Sequence, residues 1–370
     1  MSFSNTGITK LQTTSGGDWQ TESGPLKSFL ADPEVTEIMV NKWDRIFVER
    51  SGTLHQLDRG FEDLDSLNRF AASVAVAVGR ELNRKHPCLD TRLPGGFRLS
   101  IIVPPVALEG PIITIRKHKH QPLNHRELVQ RGTCNEKLVV FLYQLVRCRQ
   151  NLIISGSTNS GKTTLLNVLS SFIPAEERII TMEDTVELML QVQNLVQMET
   201  KPPMGQDPGV SMRDLLSSAL RMRPDRIIIG ECRGGEAWDM LLAMNTGHDG
   251  SMTTLHCNSA FDALRRLESM ILRAGVEVPL NMIKNDISST VNYVIHMERN
   301  SDGKRRVVEV IEVTGRKGET YSVDPVFTWD EKEGFKSTGH VPQFVTYPNH
   351  PEMQLTIEFF KPEFKYKAAI

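Results

Sequence analysis

The spacing of apolar residues along the chain changes period several times, and each change predicts a different element. Residues 1–24 show no such pattern: Ser, Thr and Gly dominate and large apolar side chains are scarce, so a flexible tail is predicted. Ile38-Met39-Val40 and Arg45 to Arg50 read as short strands broken by Asn41-Lys42-Trp43-Asp44, a hairpin-like start. Asp63 to Arg80 then places Leu64, Leu67, Phe70, Val74 and Val78 at helical spacing with one buried face. Phe97 to Val103 and Ile112 to Arg116 return to strand character, separated by Pro104-Pro105 and Gly110-Pro111. A small α/β domain over 25–116 follows, then a polar linker over 117–127 and a second domain over 128–370.

In the second domain Asn135 to Arg147 is a helical run. From Asn151 onward the order is strand, Gly-rich loop, helix, strand, which predicts an α/β fold with a mainly parallel sheet. The 370 residues suffice for two domains. A formal net charge of -2 gives no global reason to expect a polyanion as partner. The five cysteines are scattered, form no CxxC pair and point to a reducing compartment. The best apolar runs, Ala71 to Val78 and Leu138 to Val146, are too short to span a bilayer, so any membrane contact is expected to be peripheral.

Gly156-Ser157-Thr158-Asn159-Ser160-Gly161-Lys162-Thr163 fits GxxxxGK[ST], follows Leu152-Ile153-Ile154 and opens the run Thr164 to Leu169. These residue types are what phosphate binding requires. Glycines let backbone N–H groups close around phosphate oxygens, and a helix N-terminus adds its positive end. Lys162 would reach the β- and γ-phosphates while the Thr163 hydroxyl ligates Mg²⁺.

Arg178 to Met182 ends in Glu183-Asp184-Thr185-Val186-Glu187. Carboxylates at the end of a strand could polarise an attacking water through Glu183 or Glu187, or form an acidic helix N-terminus capped by Asp184. Arg226 to Ile229 leads into Gly230-Glu231, a Walker B pattern with Gly230 where Asp is usual. Glu231 could hold the water shell of Mg²⁺ or simply be a surface carboxylate. His248 and His256 could report the γ-phosphate state or be satisfied locally. His256-Cys257 is too isolated for zinc, and His118, His120 and His125 read as solvated linker. Arginines able to meet the charge developed in phosphoryl transfer are Arg92, Arg98 and Arg116 in the first domain and Arg221, Arg223 and Arg233 around the third strand.

Taken in order, GSTNSGKTT, RIITMEDTVELML, LRMRPDRIIIGECRGGEAWDML and NTGHDGSMTTLHCNSA resemble the Walker A, Asp box, Walker B and His box of the type II/type IV secretion ATPase superfamily. The insert beginning Met198-Glu199-Thr200 and the ending ERNSDGKRRVVEVIEVTG are most similar to the tight-adherence (Flp) pilus assembly ATPases. The resemblance runs from about Pro25 to Phe344 and implies a RecA-like P-loop NTPase domain preceded by a smaller, PAS-like α/β domain. It further implies a cytoplasmic ATPase acting as a homo-hexamer at the inner face of the inner membrane, peripheral to it, with platform proteins as partners and ATP and Mg²⁺ as cofactors.

The activity so implied is pilus assembly or secretion. A conjugation or effector-export ATPase of type IV secretion is the near alternative. A nucleic-acid translocase is a more distant one, since no basic patch with interleaved aromatics calls for nucleic acid. Carried over by position, Ser157, Thr158, Asn159, Ser160, Gly161, Lys162, Thr163 and Thr164 would hold the nucleotide, and Thr163 and Glu231 the Mg²⁺. Glu187 is the stronger candidate for the base, with Glu183 beside it, and His248 and His256 become sensors. Arg92, Arg98 and Arg116 fall in DTRLPGGFRLSIIVPPVALEGPIITIRK, similar to the strands that supply arginines to the nucleotide. The tetracysteine zinc motif of some assembly ATPases is missing from the sequence, and pilus-type relatives often carry a longer segment before the core.

Overall fold

The computed structural model describes residues 18–50, 53–93, 96–117, 123–203, 207–346, 352–364 and 366. The chain divides into two compact units, Met1–His120 and Gln121–Ile370.

In the first unit six strands form one antiparallel sheet: β1 (Val35–Lys42), β2 (Arg45–Arg50), β3 (Thr53–Gln56), β4 (Cys88–Leu93), β5 (Phe97–Ile102) and β6 (Ile112–Arg116), in the order β3-β2-β1-β6-β5-β4. Their period of two puts Ile38 and Val40, Ile46 and Val48, Leu99 and Ile101, and Ile113 and Ile115 on one face. Leu67, Phe70, Ala71 and Val74 of the helix Leu64–Ala77 share that core. The helix starts where Asp63 accepts the Ser66 amide at 2.7 Å and Ser66 Oγ accepts the Asp63 amide in return.

Two strands escape the pattern reading, β3 and β4, and both are sheet edges. One side of an edge meets solvent, so polar sequences such as Cys88-Leu89-Asp90-Thr91-Arg92-Leu93 suffice there. The predicted tail is also shortened. Trp19–Glu22 is a one-turn helix capped by Asp18, and Trp19, 6% exposed, packs edge-on against Phe97 at 6.4 Å, which anchors it. The rest of that tail, residues 1–17, lies outside the described residues, as do His118 and His120 of the linker. The linker's end is helical: His125–Gln130 begins at Asn124, which accepts the Glu127 amide at 3.0 Å.

The second unit carries a nine-stranded sheet: β7 (Leu152–Gly156), β8 (Ile179–Glu183), β9 (Leu195–Glu199), β10 (Arg226–Ile229), β11 (Met252–His256), β12 (Tyr293–Arg299), β13 (Arg305–Lys317), β14 (Thr320–Asp330) and β15 (Gly334–Ser337). Its order is β15-β14-β13-β12-β7-β11-β10-β8-β9. From β12 to β9 every pair is parallel, and β13 to β15 extend the sheet as an antiparallel meander. Strands β7, β8 and β10 are buried at every residue, the near-continuous apolar run of a sheet covered on both faces. Helices Glu136–Arg147 and Lys162–Ser170 contribute to one core cluster, and Ala260–Arg273 and Leu280–Thr290 to another.

Candidate functional site

Sheet order decides which motifs meet. With β7, β11, β10 and β8 adjacent and parallel, their carboxyl ends bring Gly156, His256, Gly230-Glu231 and Glu183 to one edge. That edge is where ligands bind in open α/β sheets.

Between β7 and the helix Lys162–Ser170 lies the loop Ser157 to Gly161. Its geometry depends on glycine. A Cβ on Gly156 (φ +153°) would come 2.3 Å from the Met297 carbonyl oxygen, and Gly161 (φ +100°) caps the helix from the left-handed region. Lys162 folds back over the loop, donating to the carbonyls of Gly156 at 3.0 Å and Ser157 at 2.7 Å. Burial pulls the Lys162 ammonium below its ordinary pKa, and the Glu231 charge opposes that pull. Ser160 Oγ is buried in the loop with no hydrogen-bond partner among the described residues.

Lys162 Nζ also lies 3.5 Å from His256 Nδ1, whose Nε2 is 3.1 Å from Glu231 Oε1. An ammonium only donates, so Nδ1 accepts and Nε2 carries the proton offered to Glu231. Burial, with the Lys162 charge, depresses the His256 pKa and favours this neutral form. Arg233 bonds the other Glu231 oxygen at 2.8 Å and reaches Asp184 at 3.4 Å. Burial would raise the Glu231 carboxyl, but Arg233, His256 and Lys162 outweigh it and hold it below its ordinary pKa.

Glu183 is 4% exposed and accepts the amides of Glu187 at 2.9 Å and Leu188 at 3.1 Å. Burial pushes its carboxyl up to about 7, against the pull of those two amides. A Cβ on Gly230 would meet Glu183 Cγ at 2.7 Å, which gives a steric reason for glycine at the unusual Walker B position. No helix follows Glu183, so the alternative of a helix capped by Asp184 is not realised. Instead Asn167 of the phosphate-loop helix accepts the Met189 amide at 2.8 Å and ties this acidic segment to it.

Not every predicted residue joins the group. His248 precedes β11, at the amino edge of the sheet, and its Nδ1 bonds the Ala243 carbonyl oxygen at 3.1 Å. A strand of this length separates the two edges by about 13 Å. That hydrogen bond is the kind of local partner that composition also allowed. Arg221 and Arg223 are exposed in the turn before β10, also at the amino edge. His125 packs near the Phe172 ring at 5.9 Å. Among the described residues no group of three or more His, Cys, Asp or Glu could hold a metal ion.

Arg92, Arg98 and Arg116 belong to the first unit, where the register pairs Arg92 with Arg98 and Arg98 with Arg116 across β4, β5 and β6. Directly opposed residues share a face, so the three form one row, opposite the face that carries Leu99 and Ile115. Motif spacing did not reveal this row, nor Arg305, which bonds Asn159 of the phosphate loop from 146 residues away.

No helix among the described residues is long and apolar enough to cross a membrane. Residues 19–332 match the family described as type II/IV secretion system protein. The conjugal transfer protein TrbB of Rhizobium radiobacter is 35% identical over 304 residues, 80% of this chain and 88% of that protein. The type IV secretion system protein VirB11 of Bartonella quintana is 31% identical over 326 residues, covering 78% and 91%. The solved Legionella pneumophila ATPase DotB shares the fold with a TM-score of 0.56 at 19% identity, over 79% of this chain and 81% of that one. The RecA-like unit, the four ordered motifs and these matches agree: the chain belongs to the type II/IV secretion system protein family.

Proposed function

We propose that this edge of the sheet binds Mg²⁺-ATP and hydrolyses it, and that the work drives a type IV secretion machine of the conjugation or effector-export kind. One observation carries the chemistry: the polar chain Lys162, His256, Glu231, Arg233 and Asp184 links all four motifs at the mouth of the phosphate loop. The loop suits phosphate, since the unpartnered Ser160 Oγ and the glycine-dependent cradle await an acceptor. Thr163 and Glu231 suit Mg²⁺, which takes one or two protein oxygens and completes its shell from phosphate and water. Bound there, the ion would neutralise charge on the phosphates.

In this reading Lys162 would leave the loop carbonyls for the β- and γ-phosphates, and Glu231 would help hold the ion. Glu183, with a carboxyl near neutrality, takes the proton of the attacking water, with Glu187 beside it. Glu183 takes this part rather than Glu187, which the resemblance favours, because Glu183 is the buried carboxylate at the strand end. His256 couples Lys162 to Glu231 and so responds to the γ-phosphate. His248, at the other edge, is left out of the group within this subunit. The row Arg92, Arg98 and Arg116 concentrates three positive charges, an arrangement that favours an anion such as nucleotide phosphate.

The conjugal-transfer and VirB11 relatives favour secretion over pilus assembly, which stays the second reading on the four-motif resemblance. The active form is proposed to be a homo-hexamer, peripheral at the inner face of the inner membrane and engaged with platform proteins. Cells deprived of this chain should lose type IV transfer and regain it with the wild type but not with Lys162→Ala. Unchanged transfer with loss of surface pili would restore the pilus reading.

A further inference from the structure

The turn between β12 and β13 closes with the Asn300 amide donating to the Lys304 carbonyl oxygen at 2.9 Å. Arg306 fixes this hairpin: its guanidinium forks onto Asp302 at 2.9 and 2.5 Å and stands 4.5 Å over the Trp329 ring. Alternation along β13 turns the preceding residue, Arg305, the other way. Arg305 Nε donates to the Asn159 carbonyl oxygen at 2.9 Å and Nη2 to Asn159 Oδ1 at 2.7 Å. Its Cδ lies 3.3 Å from where a Gly161 Cβ would stand, so the side chain lies across the loop. Asn159 has φ +62°, in the left-handed region that side chains avoid. Both acceptors of this one residue are thus held by a rigid guanidinium presented from an anchored hairpin.

We propose that Arg305 is a positioning residue for the phosphate loop. It holds Asn159 in its left-handed conformation and so presets the loop amides and Ser160 Oγ before the nucleotide arrives, coupling the β12–β13 hairpin to binding. The inference rests on the nucleotide reading of this loop. A lysine would keep the charge but not the two-pronged geometry.

The test compares wild type, Arg305→Ala, Arg305→Lys and Lys162→Ala by amide exchange of residues 157–161 in the free protein, binding of a ribose-labelled fluorescent ATP, and ATP turnover. Arg305→Ala should speed loop exchange and weaken binding about tenfold, with saturated turnover changed less than about twofold. Arg305→Lys should fall between, and since Arg305 is exposed it should melt like the wild type. Wild-type exchange and affinity in Arg305→Ala, or a fall in turnover with affinity unchanged, overturns the proposal. Weakened binding in Lys162→Ala alone then removes only the role of Arg305. Wild-type binding in Lys162→Ala removes the nucleotide reading and this inference with it.

Discussion

At the scale of single residues, Glu183 is a strand-end carboxylate whose burial its position in the chain does not announce. Burial raises its carboxyl from an ordinary 4.5 to about 7. The folded protein therefore keeps a proton that the unfolded chain releases between those two values. This contribution to stability is full below 4.5 and is lost as pH rises to about 7. Glu183→Gln, which can still accept the Glu187 and Leu188 amides, should abolish a decline of about 3 kcal/mol, seen in urea midpoints measured across that window. Parallel curves for the two proteins would contradict the assignment. Lys162, Glu231 and His256 were legible in the sequence because short motifs place each beside a strand end. The place of His248 was not, since the motif spans β11 and its two histidines fall on opposite edges of the sheet.

Among elements, the strand ends depend on glycines that no periodicity reading explains. Gly230→Ala would drive a methyl to 2.7 Å from Glu183 Cγ and 3.0 Å from Oε1, so the carboxylate must move. The expected result is an ATPase rate at least about tenfold lower with a thermal midpoint within a few degrees of wild type. A wild-type rate would mean that the Glu183 position is not used. Gly156→Ala meets backbone rather than a side chain, the Met297 carbonyl oxygen at 2.3 Å, and should destabilise the protein by about 2 kcal/mol or more in denaturant unfolding.

In the second unit β7, β8 and β10 were readable because both their faces are covered, and the helix Leu64–Ala77 because one of its faces is. Strands β3 and β4 were not, since an edge asks little apolar content of its sequence. The Arg305 contact was equally hidden, because hairpin and loop meet only once β12 lies beside β7.

For the whole molecule, the row of Arg92, Arg98 and Arg116 belongs to the first unit and the site around Lys162 to the second, and the proposed function gives the row an anion such as nucleotide phosphate to bind. Arg98→Ala should therefore lower ATP turnover at least about tenfold without shifting the thermal midpoint, and an unchanged rate would release the row from that role. Light scattering with and without ATP should show particles of six chains, and full activity in a strict monomer would remove the ring. Phosphate release by the purified chain, wild type against Lys162→Ala, with Mg²⁺ and with chelator, tests ATP hydrolysis at this site most directly. The expected result is ATP-dependent release that Mg²⁺ supports, chelation stops and the substitution lowers at least about a hundredfold. Release that is indifferent to Lys162 and to the metal would contradict it.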